Sequence, residues 1–189
     1  MGRSIAEAFA VAGADVVVHG KNAVHAQEVV ADCESAGRCA ISLAADLIGE
    51  DIPALVHDLF ERAVAAMPEI DILVNNAGIY IDKPFLEMDW STYDRTMRLN
   101  VAVPYFLTQA FARYWIKNGI SGRVLMVGSI NGQLAEPTHT CYDSSKGAIL
   151  AMVKSLCVTL APHGIRVNGM APGLVRTPLT NIIDTDQRF

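Results

Sequence analysis

Short apolar segments alternate along this chain with longer stretches in which apolar residues recur every three or four positions. Short runs rich in valine, isoleucine and leucine are typical of strands buried on both faces, and the longer period is that of an amphipathic helix. The alternation therefore predicts βα units and a parallel sheet covered by helices. The expected strands are residues 15–19, 38–44, 70–75, 122–129 and 165–171, and the expected helices are residues 4–12, 23–36, 52–67, a stretch from 91 to 118, and one long helix within 138–163.

Glycine and proline mark the ends of several of these elements. Gly13 and Gly37 directly follow two predicted helices, where a glycine commonly ends a helix. Pro104 falls inside the stretch from 91 to 118, so we expect a break or kink there. Because the chain has no internal repeat, low-complexity tract or linker, we expect residues 1–189 to form one domain.

Composition narrows the class of protein. Hydrophobic residues make up 51% of the chain and charged residues 19%, which excludes a disordered protein. The net charge is −5 and no basic stripe occurs, so we expect no nucleic-acid partner. No apolar run approaches the roughly 18 residues of a membrane span, and Glu7 and Asp15 interrupt the apolar N-terminal stretch. We therefore expect a cytoplasmic protein without a membrane partner.

The cysteines do not indicate a metal or disulfide site. Cys33, Cys39, Cys141 and Cys157 lack C-x-x-C spacing, which favours free thiols. We assign no metal-binding residue to this sequence.

Tyr142 and Lys146 are the first candidates for catalysis. They lie four residues apart near the start of a predicted helix, so both project from the same face. A cation held close to a phenol lowers its pKa, and the phenol can then exchange a proton with a substrate oxygen. A surface pair of the same spacing is the alternative, and the pair alone does not decide between them.

Two further groups follow predicted strands. Ser129 ends the strand at 122–129, and Asn75-Asn76-Ala77-Gly78 ends the strand at 70–75. Ligands of α/β sheets bind at the carboxyl ends of strands, where a hydroxyl can hold a substrate oxygen and small residues allow close approach. Taken singly, each is also compatible with an ordinary turn.

Taken together, these residues resemble the short-chain dehydrogenase/reductase family in its short single-domain branch. The matching residues follow the family's order and spacing over essentially the whole chain: Asp46-Leu47, Asn75-Asn76-Ala77-Gly78, Asn100, Ser129, Tyr142-Asp143-Ser144-Ser145-Lys146, and Pro172-Gly173 with Thr177. The resemblance implies an α/β fold with a Rossmann-type doubly wound parallel sheet. It also implies an enzyme that transfers a hydride between a nicotinamide cofactor and a small-molecule carbonyl or secondary alcohol.

The resemblance assigns a role to each position. Tyr142 is the expected proton donor or acceptor, Lys146 lowers its pKa and binds the nicotinamide ribose, and Ser129 holds the substrate oxygen. Asn100 is expected to support a water relay that reaches Lys146. The expected cofactor contacts are Gly2, Lys21, Asp46, Leu47, Asn75, Ala77, Gly78, Tyr142, Lys146, Pro172, Gly173, Leu174, Val175 and Thr177.

The choice between NADP and NAD depends on the residues after the first predicted strand. An acidic residue there typically binds the ribose 2′-hydroxyl, whereas a basic residue suits a 2′-phosphate. This chain reads His19-Gly20-Lys21-Asn22, with one cation and no carboxylate, and this favours NADP over NAD. A solvated loop lysine is the alternative for Lys21.

The chain departs from the family pattern at both ends. The family has a strand and the turn Thr-Gly-x-x-x-Gly-x-Gly before the position of Met1-Gly2-Arg3, and a closing strand beyond Phe189; we expect this fold to lack the first strand, the glycine-rich turn and the closing strand. One hypothesis is a truncated sequence of an ordinary enzyme, and the other is a catalytically inactive product that acts as an interaction module.

The substrate itself is left open at this stage. The sequence is similar to 3-oxoacyl-carrier-protein reductases and to sugar or gluconate dehydrogenases alike. The loop at 131–139 is expected to border the substrate, where Glu136 or His139 either meets a polar group or is a simple loop residue. The family's use of the helices at 103–118 and 142–163 implies a homodimer or homotetramer for the complete protein.

Overall fold

The computed structural model describes residues 1–175, and Thr177 lies outside them. The predicted elements are confirmed, with ends that shift by a residue or two. In chain order they are α1 (Gly2–Val11), β1 (Val16–Gly20), α2 (Ala23–Ser35), β2 (Ala40–Ala44), α3 (Ile52–Ala66), β3 (Ile72–Asn75), α4 (Trp90–Met97), α5 (Val103–Asn118), β4 (Arg123–Val127), α6 (Thr140–Leu160) and β5 (Arg166–Met170).

Local chemistry explains where the helices begin. The Asn22 side chain accepts hydrogen bonds from the amides of Val24 and His25 at the start of α2. Asp51 and Asp89 accept from the third residue beyond them and so cap α3 and α4. Each cap satisfies amide groups that have no partner within the helix.

The strands are parallel, as predicted, but they form two sheets. β1 pairs with β2, starting with Val16 opposite Ala40. The second sheet has the order β3-β4-β5. Among the described residues, no backbone ladder joins β1 to β3. Both strands instead line a cavity of about 1140 Å³, which occupies the position that the family resemblance gives to a central strand.

The core is divided in a corresponding way. The larger apolar cluster lies around β3, β4 and β5, and its most buried large side chains are Trp115, Met126 and Ile165. The smaller cluster lies between α1, α2, β1 and β2 and consists of Ala10, Val18, Ala26, Val30, Cys33 and Ala40. Helix α3 contacts both β2 and α5 and thereby bridges the two parts.

The expected break near Pro104 is confirmed and takes the form of a π-helical turn. Residues Arg98–Ala102 form this wider turn between α4 and α5, and Pro104 lies in the first turn of α5. Proline lacks an amide hydrogen and is tolerated at the first turn of a helix. The π turn also contains Asn100, which is buried at 2% exposure.

The long helix predicted within 138–163 is also apolar. Among the described residues, the segment Thr140–His163 has the length and composition to cross a membrane, although no uninterrupted apolar run of that length was expected. Lys146 and Lys154 interrupt the apolar run. A single helix of this kind is weak evidence for a membrane, since the core helix of a globular protein has the same length and composition. Here α6 packs on β4 and β5.

Candidate active site

The predicted catalytic residues converge at the carboxyl ends of β3, β4 and β5. Ser129 follows β4, and Tyr142 and Lys146 lie in the first two turns of α6. Lys146 Nζ lies 5.6 Å from the centroid of the Tyr142 ring. Parallel strands place their carboxyl ends at one edge, which is why residues from distant parts of the chain meet here.

Lys146 is a buried cation with a backbone partner. It is 7% exposed, and its Nζ donates a hydrogen bond of 3.1 Å to the Val127 carbonyl oxygen. Removal from water disfavours the charged form and lowers the pKa of Lys146 to about 8. This lysine therefore changes charge much closer to neutral pH than a solvated lysine does.

The pKa of Tyr142 shifts in the direction opposite to the one expected. Burial raises the pKa of Tyr142, and the hydrogen bond with the Ser129 hydroxyl opposes that effect only in part. Lys146 was expected to lower the pKa, but its ammonium group is bound to the Val127 carbonyl instead. Ser129 Oγ also accepts a hydrogen bond from the Asn131 amide, which fixes the start of the following loop.

Asn100 joins the loop after β3 to helix α6. Its side chain accepts from the Ile79 amide at 2.8 Å and donates to the Ile79 carbonyl at 2.9 Å and to Ser145 Oγ at 3.0 Å. These bonds make Asn100 a buried clamp in the described structure. A Cβ on Gly78 would lie 3.2 Å from Asn100 Oδ1 and 3.8 Å from Lys146 Nζ, so a side chain at Gly78 would crowd both.

Several of the expected cofactor contacts line the large cavity. They are Gly2, Leu47, Asn75 and Ala77, whereas Gly78, which is expected at the cofactor's middle with Asn75 and Ala77, is not among the lining residues. Leu47 is buried at 4% exposure. The Asn75 side-chain amide donates to Thr108 Oγ1 at 3.0 Å and contacts the Met126 sulfur at 3.3 Å, so its nitrogen is engaged within the fold.

The ribose end of the expected site carries a salt bridge. Lys21, which also lines the cavity, lies 2.8 Å from Asp46. The hydrogen bond from Lys21 is the main cause of the lowered pKa of Asp46, and Arg95 adds a smaller electrostatic contribution. Lys21, which is expected to contact the 2′-phosphate, and Asp46, another expected cofactor contact, thus pair with each other.

The structure fits a dinucleotide in two respects. Helix α1 begins at Gly2 without a side-chain cap on its first amides, and helix N-termini bind pyrophosphate through such amides. A Cβ on Gly2 would approach Asn76 Nδ2 to 2.7 Å, so a side chain would close this approach to the backbone. A cofactor that follows the cavity edge would pass from Lys21 and Gly2 toward Ala77.

The segment after β5, which is expected to contact the nicotinamide, lies against the loop that follows Ser129. The Ile130 amide donates to the Pro172 carbonyl oxygen at 3.0 Å, which ties the segment to this loop. Gly173 lies beside Ile130. Leu174 is 54% and Val175 40% exposed, and Val175 lines a separate cavity next to α1.

Two aromatic residues complete the site, and the sequence motifs did not single out one of them. The Tyr80 ring packs edge-to-face on the Tyr142 ring at 5.2 Å, and its hydroxyl lies 2.5 Å from His139 Nε2. His139 belongs to the loop at 131–139 that is predicted to border the substrate. Tyr80 belongs to none of the family motifs, and its position two residues after Gly78 is what brings it to this edge. Within residues 1–175, no cluster of three or more His, Cys, Asp or Glu side chains could hold a metal ion.

Comparison with known proteins agrees with this geometry. The pattern of the short chain dehydrogenase family matches residues 1–188. The chain is 35% identical over 190 residues to the 2-dehydro-3-deoxy-D-gluconate 5-dehydrogenase of Dickeya dadantii, covering 99% of this chain and 72% of that protein.

Two solved structures of similar proteins have the same architecture. The gluconate 5-dehydrogenase of Burkholderia cenocepacia, in complex with NADP and tartrate, superposes with a TM-score of 0.89 at 31% identity, covering 100% of this chain and 73% of the other. The acetoin dehydrogenase of Enterobacter cloacae gives a TM-score of 0.88 at 28% identity, covering 98% and 73%. On these matches and on its fold, this chain belongs to the short-chain dehydrogenase/reductase family of oxidoreductases.

Proposed function

We propose that this chain transfers a hydride between a nicotinamide cofactor and a secondary alcohol or ketone, with Tyr142 as general acid and base. The observation that carries the proposal is the convergence of Ser129, Tyr142 and Lys146 at one sheet edge, where Lys146 Nζ lies 5.6 Å from the centre of the Tyr142 ring and the Ser129 hydroxyl interacts with the phenol. Tyr142 and Lys146 follow Ser129 by 13 and 17 positions in the sequence, and the fold brings all three to this edge. Such a group can hold a carbonyl oxygen and exchange a proton with it.

Each residue of the group has a distinct task in the proposed reaction. Ser129 holds the substrate oxygen by a hydrogen bond, and Tyr142 donates its proton to that oxygen when a ketone is reduced. The raised pKa of Tyr142 keeps the phenol protonated at neutral pH, which suits it to act as an acid. When bound, the nicotinamide supplies the hydride for reduction or accepts it in the reverse direction.

Lys146 and Asn100 prepare this site. Lys146 would bind the cofactor ribose together with Tyr142, and its Nζ now rests on the Val127 carbonyl oxygen. Asn100 holds the loop that contains Gly78 against α6 through Ile79 and Ser145. These hydrogen bonds hold the loop after β3 in place against α6. Proton transfer depends on such fixed positions of the reacting groups.

We propose NADP as the preferred cofactor and NAD as the alternative. Lys21 follows β1, where a cation suits a 2′-phosphate, and the similar gluconate 5-dehydrogenase binds NADP. Asp46 opposes this preference in part, because the phosphate would compete with its carboxylate for Lys21.

The proposed substrates are small hydroxylated carbonyl compounds or alcohols. The similar enzymes named above act on gluconate derivatives and on acetoin, which all carry hydroxyl groups near the reacting carbon. We further propose a cytoplasmic homodimer or homotetramer. Exposed apolar side chains on α5 and α6, among them Phe106 and Val158, offer a surface for a second copy.

A cofactor titration with a Tyr142→Phe control tests the proposed function. Binding of NADPH to the wild-type chain is measured by fluorescence, and turnover by loss of NADPH absorbance with a panel of hydroxyketones. Loss of the phenolic proton should lower kcat by about 10²–10⁴-fold while NADPH still binds, since general acid catalysis contributes that much.

Two outcomes would contradict the proposal. Equal turnover by wild type and Tyr142→Phe would remove the phenol from the mechanism. Absence of both saturable NADPH binding and turnover would favour a catalytically inactive interaction module.

A further inference from the structure

A hydrogen-bonded aromatic pair lies against the catalytic tyrosine. Tyr80, in the loop after β3, and His139, at the start of α6, are 59 positions apart and join through a hydrogen bond of 2.5 Å. Their rings are nearly perpendicular, with centroids 4.9 Å apart. The Tyr80 ring meets the Tyr142 ring at 88° and 5.2 Å. Tyr80 is thus in contact with both His139 and the residue proposed to move the proton.

The surroundings of His139 decide which partner donates in this pair. Its Nδ1 lies 3.5 Å from Glu136 Oε2 and 3.5 Å from Asn131 Nδ2. Asn131 donates one amide hydrogen to Asp143 at 2.9 Å, and its second hydrogen meets His139 Nδ1 only at 3.5 Å, the limit of a hydrogen bond. Because the charged Glu136 carboxylate lies at the same distance and charge-assisted hydrogen bonds are the stronger ones, we assign the proton to Nδ1, facing Glu136. His139 Nε2 is then an acceptor, and the Tyr80 hydroxyl donates to it.

This arrangement makes the Tyr80 oxygen a better acceptor than an ordinary phenol. A carboxylate beside a histidine N–H increases the electron density of the ring, and the ring withdraws the hydroxyl proton from Tyr80. The pair is well sheltered from water, since His139 is only 8% exposed. Asp143 further fixes the loop by accepting from the Glu136 amide at 3.2 Å.

We propose that Tyr80, positioned by His139, accepts a hydrogen bond from a hydroxyl group on the carbon next to the reacting carbon. Tyr142 would hold the reacting oxygen, and Tyr80 the neighbouring one. The substrate class that this pair selects consists of α-hydroxy ketones and the corresponding vicinal diols. His139 acts through Tyr80 and is a positioning residue. The inference rests on the proposed function and specifies the substrate of the same site.

Two probe ketones that differ by one hydroxyl group test this inference. Reduction of 3-hydroxybutan-2-one and of butan-2-one by NADPH is measured with wild type, Tyr80→Phe, His139→Leu and His139→Gln. Tyr105→Phe is the matched control, because it removes a hydroxyl from an exposed tyrosine on α5.

The expected result is a change in the ratio of the two kcat/KM values. Wild type and Tyr105→Phe should prefer the hydroxyketone by about tenfold or more, and Tyr80→Phe should lose that preference with butan-2-one reduced as before. His139→Leu should behave like Tyr80→Phe. His139→Gln, which keeps an acceptor, should recover part of the preference.

Other results would overturn the inference. An equal fall for both ketones in Tyr80→Phe, accompanied by a lower Tm, would mean that the pair only supports the fold. A ratio near one in wild type, with both ketones reduced, would refute the role of Tyr80 and leave the proposed function standing. Failure of wild type to reduce either ketone, with no difference from Tyr142→Phe, would refute both.

Discussion

The two sheets differ in the size of the side chains buried around them. The catalytic half, which comprises β3, β4, β5 and helices α4 to α6, is organised around Trp115, Met126 and other large buried side chains. The cofactor half, which comprises α1, β1, α2 and β2, has a core whose largest side chains are two valines and a cysteine. The cavity lies between them, and α3 contacts both.

The difference agrees with the task proposed for each half. The proposed proton transfer at Tyr142 needs side chains held within fractions of an ångström, and a large packed core supplies that rigidity. Binding of an extended dinucleotide would use mainly backbone groups and small residues, such as Gly2 and Ala77. We therefore expect the catalytic half to carry most of the stability of the fold.

A matched pair of valines tests this comparison most strongly. Val124 in β4 and Val30 in α2 are each 2% exposed, so Val→Ala removes the same atoms from the same degree of burial. The transfer contribution is about 1.6 kcal/mol at either site. The cavity left in the densely packed catalytic half should raise the loss of unfolding free energy for Val124→Ala to about 2–3 kcal/mol, against about 1–2 kcal/mol for Val30→Ala. Urea unfolding of both variants measures the difference, and equal losses would break the comparison.

The second prediction concerns Lys146, the buried lysine of the catalytic half, and how it makes the stability of the fold depend on pH. An unfolded lysine takes up its proton near pH 10.5, whereas Lys146 does so near pH 8, so the unfolded state binds the extra proton between those values. Stability therefore falls as the pH is lowered from 10.5 to 8 and stays reduced below 8. Lys146→Met removes this penalty of about 3 kcal/mol and leaves the Val127 carbonyl without its donor, which costs about 1 kcal/mol.

The expected result for Lys146→Met is a net gain of about 1–2 kcal/mol at pH 7 together with loss of activity. The gain should vanish near pH 10.5, where neither state binds the proton. Urea unfolding at both pH values is the measurement. Lys154→Met, an exposed lysine on the same helix, is the control and should change stability little at either pH. A loss of stability at pH 7 would show that the Val127 bond outweighs burial of the charge.

The smallest expected effect concerns the cofactor half. Lys21 and Asp46 are 68% and 45% exposed, so their salt bridge contributes little to stability. Lys21→Ala should weaken NADPH binding by about tenfold, or about 1.4 kcal/mol, and leave NADH binding nearly unchanged. Asp46→Asn should strengthen NADPH binding, since the phosphate no longer competes with a carboxylate. If Lys21→Ala weakened the binding of NADPH and of NADH equally, Lys21 would have only a structural role.

The elements of the fold could be predicted from the sequence more completely than the contacts of the site. The strands follow from short apolar runs and the helices from a period of 3.6 residues, which are both local properties. The common face of Tyr142 and Lys146 follows from their spacing on one helix. The partners of Asn100 and Lys21 are distant in sequence, so their pairing with Ser145 and Asp46 could not be read from spacing.

The amino-acid sequence by itself determined the order of βα units, the break before Pro104, and the family to which the chain belongs, because each depends on residues at short or regular separations. Only the tertiary structure decided that β1 and β3 face a cavity, that burial raises the pKa of Tyr142, and that Tyr80 and His139 meet beside it. These features depend on which surfaces are removed from water when distant segments pack together, and burial is a property of the whole fold.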